Sequence, residues 1–213
     1  MRTIGVPVVH AVTNDEVIAR EDFIDVACAV MRTLGARGAL HLRANRLSGA
    51  RFQALAEGLA AAQGLTSAWL IVNDRIDVAL ACGARGAQLT SRSLAAADAR
   101  RIAPMLALGA SVHDLDEGRV AVTSGADWLV AGQVFAGTAL GGASQHSMAW
   151  VKALVSATTV PVIVIGGVQP RHASDLRAIG VHGVAVIRGI WDAPNAERAA
   201  SDYLTAYDDA GVE

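Results

Sequence analysis

The chain has 213 residues, a formal charge of −2, and 53% hydrophobic residues of which few are aromatic. That length buries one sizeable core, and the near-neutral charge excludes an electrostatic surface for nucleic acid or for an anionic membrane. No stretch approaches the ~18 apolar residues of a membrane span, and no basic-then-apolar leader opens the sequence, so a cytoplasmic soluble protein is expected. Cys28 and Cys82 lack CxxC or metal-ligand spacing and are expected to be buried thiols in a reducing compartment.

Apolar runs predict strands over Val6–Thr13, Ala39–Arg43, Trp69–Asn73, Ala87–Leu89, Leu106–Val112, Trp128–Ala131, Val160–Ile165 and Val184–Ile187. Helical spacing falls between them, as in Asp22–Leu34, Arg51–Ala62, Leu94–Arg101, Met148–Ala157 and Pro170–Gly180. A short signature recurs at Gly35, Gly83, Gly125 and Gly180: a glycine, a small residue, then an apolar run. The glycine ends a helix and the next strand begins within a few residues, which is how serial β/α units look in sequence. Strands alternating with helices and no long linker predict a single α/β domain over residues 1–213, a (β/α)8 TIM barrel, with an open doubly wound sheet as the alternative. Asp202–Glu213 is polar and is expected to finish the last helix and then fray.

In a barrel of this kind the chemistry sits at the carboxyl ends of the strands. Those ends supply His10 and Thr13, His41 and Arg43, Asn73 and Asp74, Gln88 and Thr90, Ser111 and His113, then Gln133. Residues two apart on a strand share a face, so His41 points with Arg43 and Ser111 with His113. The last two strands end differently, in Gly166-Gly167 and in Arg188-Gly189. Glycines admit an anion close to the backbone, helix starts offer unpaired N–H groups, and arginine adds charge. These two turns therefore predict a phosphate site, against the plainer reading that they are only tight turns.

Plainer readings stand beside several other residues. His10, early in its strand, is better explained as a packed or hydrogen-bonded core histidine, and Asp114 in Asp114-Leu115-Asp116-Glu117 as a helix cap rather than a base. Asp74 is read equally as functional or as a cap of the next helix. His146 falls in the Gly- and Ser-rich stretch 136–147, which reads as a surface loop able to close over a ligand. Of the 18 basic residues only Lys152 is a lysine, and it falls in a helical segment. No strand end supplies an amine, which argues against Schiff-base chemistry.

At these residues the chain resembles the thiamine phosphate synthase/TenI family along nearly its whole length. The resemblance is carried by Leu70-Ile71-Val72-Asn73-Asp74-Arg75-Ile76-Asp77-Val78-Ala79, Gly132-Gln133-Val134-Phe135, Pro161–Val168 and Gly183-Val184-Ala185-Val186. It implies a barrel that binds a phosphorylated small molecule, a thiazole phosphate or thiamine phosphate. It also implies one of two chemistries. The synthase joins a pyrimidine pyrophosphate to a thiazole phosphate, displacing pyrophosphate with Mg²⁺; the TenI branch is a thiazole tautomerase that moves a proton without metal or cofactor. Against the synthase pattern, His41-Leu42-Arg43-Ala44-Asn45 lacks the expected lysine, and Ser93 stands where a second metal-binding aspartate is expected beside Asp74. Ala136-Gly137-Thr138-Ala139-Leu140 keeps one threonine and no lysine.

Val9-His10-Ala11-Val12-Thr13 and Ser111-Val112-His113 resemble TenI's own variants, while Gln133 replaces the TenI histidine. The sequence thus leads to a TenI-like tautomerase without a cofactor. The synthase, or a non-catalytic phosphate-binding regulator, is the alternative, and Mg²⁺ on Asp74 enters only with the synthase. Catalysis is assigned to His113, Gln133, Arg43 and His10, with His113 first as the proton carrier. Substrate binding is assigned to His41, Asn73, Asp74, Ser111 and Thr138, and phosphate binding to Gly166, Gly167, Arg188 and Gly189. No nucleic-acid or membrane partner is expected, and the sequence leaves open whether the chain self-associates as a homo-oligomer.

Overall fold

A computed structural model of the protein describes residues 5–132, 134–135 and 147–209. The strands β1 (Val9–Val12), β2 (Gly38–Leu42), β3 (Trp69–Asn73), β4 (Gly86–Leu89), β5 (Ala107–Val112), β6 (Trp128–Ala131), β7 (Val162–Ile165) and β8 (Gly183–Val186) pair in parallel in chain order. Val9, His10 and Ala11 of β1 pair with Val184, Ala185 and Val186 of β8, which closes the sheet. This is the (β/α)8 barrel, and the open sheet is excluded. Outside it lie α1 (Asp15–Ile18), α2 (Phe23–Leu34), α3 (Gly49–Thr66), α4 (Ile76–Cys82), α5 (Ala96–Ile102) and α6 (Leu115–Thr123). They are followed by α7 (Met148–Ala157), α8 (Ala173–Ala178), α9 (Arg188–Trp191) and α10 (Ala196–Asp209).

Two strands start two or more residues later than the apolar runs suggest, each for the same reason. Pro7 and Pro161 have no N–H to give the ladder, so β1 begins at Val9 and β7 at Val162. The segment after β7 divides into a 3-10 turn, Pro170–His172, and α8. Each of the four signature glycines has positive φ, between 53° and 93°, so the recurring signature marks a left-handed exit from a helix. The one lysine, Lys152, is exposed on α7, in the outer ring of helices. Cys28 and Cys82 are half-buried free thiols rather than fully buried ones.

Strand residues alternate between two cores. Val9, Ala11, Leu40, Leu42, Leu70 and Val72 face the helices, whereas Val12, Ala39, Trp69, Ile71, Trp128, Val130 and Ile163 fill the barrel. Trp128 is fully buried and lies across β5, where a Cβ on Gly109 would come within 2.1 Å of its indole ring. Trp128 Nε1–H donates to Gln88 Oε1 at 3.0 Å. Gly109→Ala should therefore displace the indole and cost about 1–3 kcal/mol, read as a lower urea midpoint. An unchanged midpoint would show that the interior can make room.

Candidate active site

The carboxyl ends of the strands surround a cavity of about 520 Å³ whose polar lining includes His41, Arg43, Asn73, Gln88, Ser111 and His113. Local bonding holds several of them. Thr13 Oγ1 donates to the Arg43 carbonyl at 3.0 Å and accepts from Arg43 N at 2.9 Å, which fixes the end of β2. Gln88 Nε2 donates to Ser111 Oγ at 3.1 Å, while its oxygen is taken by Trp128, so the amide is locked in one orientation.

His10 does not reach this cavity. It is fully buried beneath His41, with Nδ1 2.8 Å from His41 Nε2 and Nε2 2.9 Å from the Pro7 carbonyl oxygen. This is the core position that its early place on the strand favours, and burial beneath His41 leaves the catalytic role also assigned to it without access to the cavity. His41 continues the chain upward, its Nδ1 lying 3.2 Å from the side-chain amide of Asn73. Burial holds His10 down to about 4 and pushes His41 well below the usual imidazole range, so both rings are neutral. Sequence places these residues on the first three strands. It does not show the line of bonds joining positions some thirty residues apart.

His113 lies at the rim with its side chain 56% exposed, and Glu117 holds it. Glu117 Oε2 accepts from the His113 backbone N–H at 2.7 Å and lies 3.1 Å from His113 Nδ1. Asp114 caps α6 by accepting from Glu117 N at 2.7 Å, as its pattern predicts. The return bond of that cap goes to His113 rather than to Asp114, so the helix start anchors the rim imidazole.

Of its two expected readings, Asp74 does not follow the cap. Its backbone is left-handed, at φ 62°, and no side-chain hydrogen bond caps α4. Its carboxylate instead accepts from the hydroxyls of Thr90 and Ser93 and, through Oδ2, from Arg92 at 3.4 Å. Arg92 also donates to Asn45 Oδ1 at 2.9 Å. Mg²⁺ asks for octahedral oxygens and is usually held by one or two carboxylates plus substrate phosphates. Here the place expected for a second carboxylate is a serine that donates to the first, and a guanidinium covers the remaining oxygen. The residues do not fit the metal. Among the described residues no group of three or more His, Cys, Asp or Glu side chains could hold an ion.

Beyond Gly166 the cavity continues into a pocket of about 150 Å³ between the turns after β7 and β8, lined by Gly166, Gly167, Arg188 and Gly189 among others. Gly166 and Gly167 have φ of 109° and 70°, and Gly167 packs directly on the Phe135 carbonyl. Tyr203 of α10 braces both turns from outside: its hydroxyl donates to the Val168 carbonyl at 2.8 Å, and a Cβ on Gly189 would lie 2.3 Å from that hydroxyl. Burial pushes the Tyr203 phenol up to about 12, so it remains a donor. Nothing in the sequence pattern marks Tyr203, because its role depends on where the last helix docks. Gln133, Thr138 and His146 lie outside the described residues.

Residues 9–190 match the family described as thiamine monophosphate synthase. The chain belongs to that family. Thiamine-phosphate synthase of Pyrococcus abyssi is 36% identical over 63% of this chain, a match spanning 65% of the relative, just under two thirds of its length. Thiamine-phosphate synthase of Moorella thermoacetica is 34% identical over 78% of this chain and 80% of its own. The solved thiamine phosphate pyrophosphorylase of Pyrococcus furiosus superposes with a TM-score of 0.81 at 27% identity, covering 95% of this chain and 96% of that one. These relatives carry the synthase name, so the narrower expectation of a TenI-branch protein finds no support among them. Within the thiamine monophosphate synthase family, then, this member keeps the barrel and the glycine turns while filling the Asp74 corner with hydroxyls and a guanidinium. Among the described residues, no helix is long and apolar enough to cross a membrane.

Proposed function

We propose that this barrel binds a thiazole phosphate of thiamine biosynthesis, with the phosphate on the turns after β7 and β8 and the ring in the larger cavity. The observation that carries this reading is the continuity of the two spaces, which share Ile165, Gly166, Ala185 and Ile187 in their walls. An ester whose anion sits on Gly166, Gly167, Arg188 and Gly189 places its ring among His41, Arg43, Asn73, Ser111 and His113. At the start of α9 the Arg188 and Gly189 N–H groups have no intrahelical partner, unlike those of Ile190 and Trp191, and Arg188 supplies the charge.

Of the two family chemistries, the donor set favours proton transfer. Departure of pyrophosphate needs concentrated positive charge, and the Asp74 corner is not built to hold Mg²⁺. In a tautomerisation the imidazole of His113 takes a proton from a ring carbon, the C–H electron pair closes the aromatic ring, and a proton returns elsewhere on the conjugated system. Atoms and charge balance without a cofactor. Glu117 holds His113 Nδ1, leaving Nε2 to exchange the proton. The second reading, condensation to thiamine phosphate, is favoured by the names of the relatives.

One pair of assays separates the readings. Aromatisation of a non-aromatic carboxythiazole phosphate is expected, with at least a hundredfold loss in His113→Asn while thiazole phosphate affinity changes less than about threefold. Efficient thiamine phosphate formation from the pyrimidine pyrophosphate, thiazole phosphate and Mg²⁺, without aromatisation, would give the function to the second reading.

A further inference from the structure

The buried histidine pair contains an ordering of protons that decides what Asn73 offers to a ligand. The Pro7 carbonyl can only accept, so His10 Nε2 carries a proton and donates to it at 2.9 Å. A neutral His10 then has a lone pair on Nδ1, and the atom 2.8 Å away, His41 Nε2, must be the donor. A neutral His41 that is protonated on Nε2 has in turn a lone pair on Nδ1. The amide position 3.2 Å from that lone pair, where the structure places Asn73 Oδ1, must therefore be taken by the N–H₂ group after a half-turn of the amide. Amide oxygen and nitrogen exchange places by a half-turn of the group, and the hydrogen-bond network settles which is which.

Placing the oxygen toward His41 instead would require one more proton in the pair. Both rings are buried with no carboxylate in contact, and His182, whose Nε2 is bound to the Val6 carbonyl at 2.8 Å, adds no negative charge. Burial disfavours that extra proton in each ring. The chain of bonds also ends at a carbonyl, so it is a fixed orienting device and conducts no proton onward.

We propose that the His10–His41 pair turns the Asn73 carbonyl oxygen toward the cavity, making Asn73 an acceptor that selects ligands carrying an N–H or O–H donor. His10 and His41 are positioning residues in this scheme. Asn73 is only 6% exposed and lines the cavity wall, so the orientation is held where a ligand would meet it. An acceptor at this point repels a phosphate or pyrophosphate oxygen and favours a ring N–H or an exocyclic amine. The selectivity rests on the reading of the cavity as a thiazole site; the amide orientation does not.

Two measurements test the proposal. In ¹⁵N-labelled, ligand-free protein near neutral pH, long-range nitrogen–proton spectra should show both rings protonated only at Nε2. Scalar couplings across N–H···N bonds should link His41 to His10 and Asn73 to His41. A proton on His41 Nδ1, or the absence of the Asn73 coupling, overturns the orientation. Calorimetry should then show a 2-amino thiazole phosphate binding about five-fold tighter than the thiazole phosphate without the amine, the net worth of one hydrogen bond. That ratio should fall to about one in Asn73→Leu. A ratio of one or less in the native protein overturns the selectivity. Failure of both ligands to bind would instead sink the thiazole reading of the cavity, with the spectra still deciding the amide.

Discussion

Lowering the pH through the window from 6.5 to about 4 should remove about 3 kcal/mol of stability through His10 alone. The folded ring stays neutral because burial lowers its proton affinity, while the same histidine in the unfolded chain takes up a proton near its ordinary value. Within that window the unfolded state therefore binds more protons, and stability falls as pH falls. At pH 5 about 2 kcal/mol of the effect should already be present. His41 is shifted in the same direction and steepens the slope. Urea unfolding midpoints measured at successive pH values read this directly. His10→Gln keeps a donor for Pro7 and an acceptor for His41 without a titration, and should flatten the curve. A native midpoint that does not move between pH 7 and 5 would mean that the pair is not held neutral.

Gly167→Ala is the substitution expected to damage the site most. The residue sits at φ 70°, where an L side chain costs about 1–2 kcal/mol. Its new Cβ would also fall 1.6 Å from the Phe135 carbonyl oxygen, a backbone atom that no rotamer change can move. The start of the β6 loop must then separate from the β7 turn, breaking the bond from Phe135 N to the Gly166 carbonyl at 2.9 Å. The expected result is at least a tenfold loss of thiazole phosphate affinity together with a lower melting temperature. Gly58→Ala serves as the control: it lies within α3 with nothing inside 4 Å, and should stabilise by about 0.5–1 kcal/mol through helix propensity. Native affinity in Gly167→Ala would move the anion away from these turns.

The eight strands and the left-handed turn glycines were readable because both follow from local rules, the alternation of apolar runs and the need for glycine at a helix exit. Pro7 and Pro161 show where that reading overreached. Hydropathy continues through a proline, whereas a ladder needs its missing N–H. The candidate site was readable only as far as strand direction goes. His41, Arg43, Asn73, Ser111 and His113 do line one cavity, as shared faces at strand ends require. His10 belongs to the layer below, as its early place on β1 suggests. The hydroxyls of Thr90 and Ser93 on Asp74, and the bonds from His10 through His41 to Asn73, depend on rotamers and on contacts between neighbouring strands. No pattern along the chain encodes them.

The contact from Tyr203 ties the docking of α10 to the geometry of the turns after β7 and β8. All eight strands precede α10, which packs from outside the sheet on α2, α8 and α9. Without that helix these two turns would lack the hydroxyl that grips one and the ring that backs the other. A helix of the outer layer, and not the sheet alone, thus holds the two turns in shape.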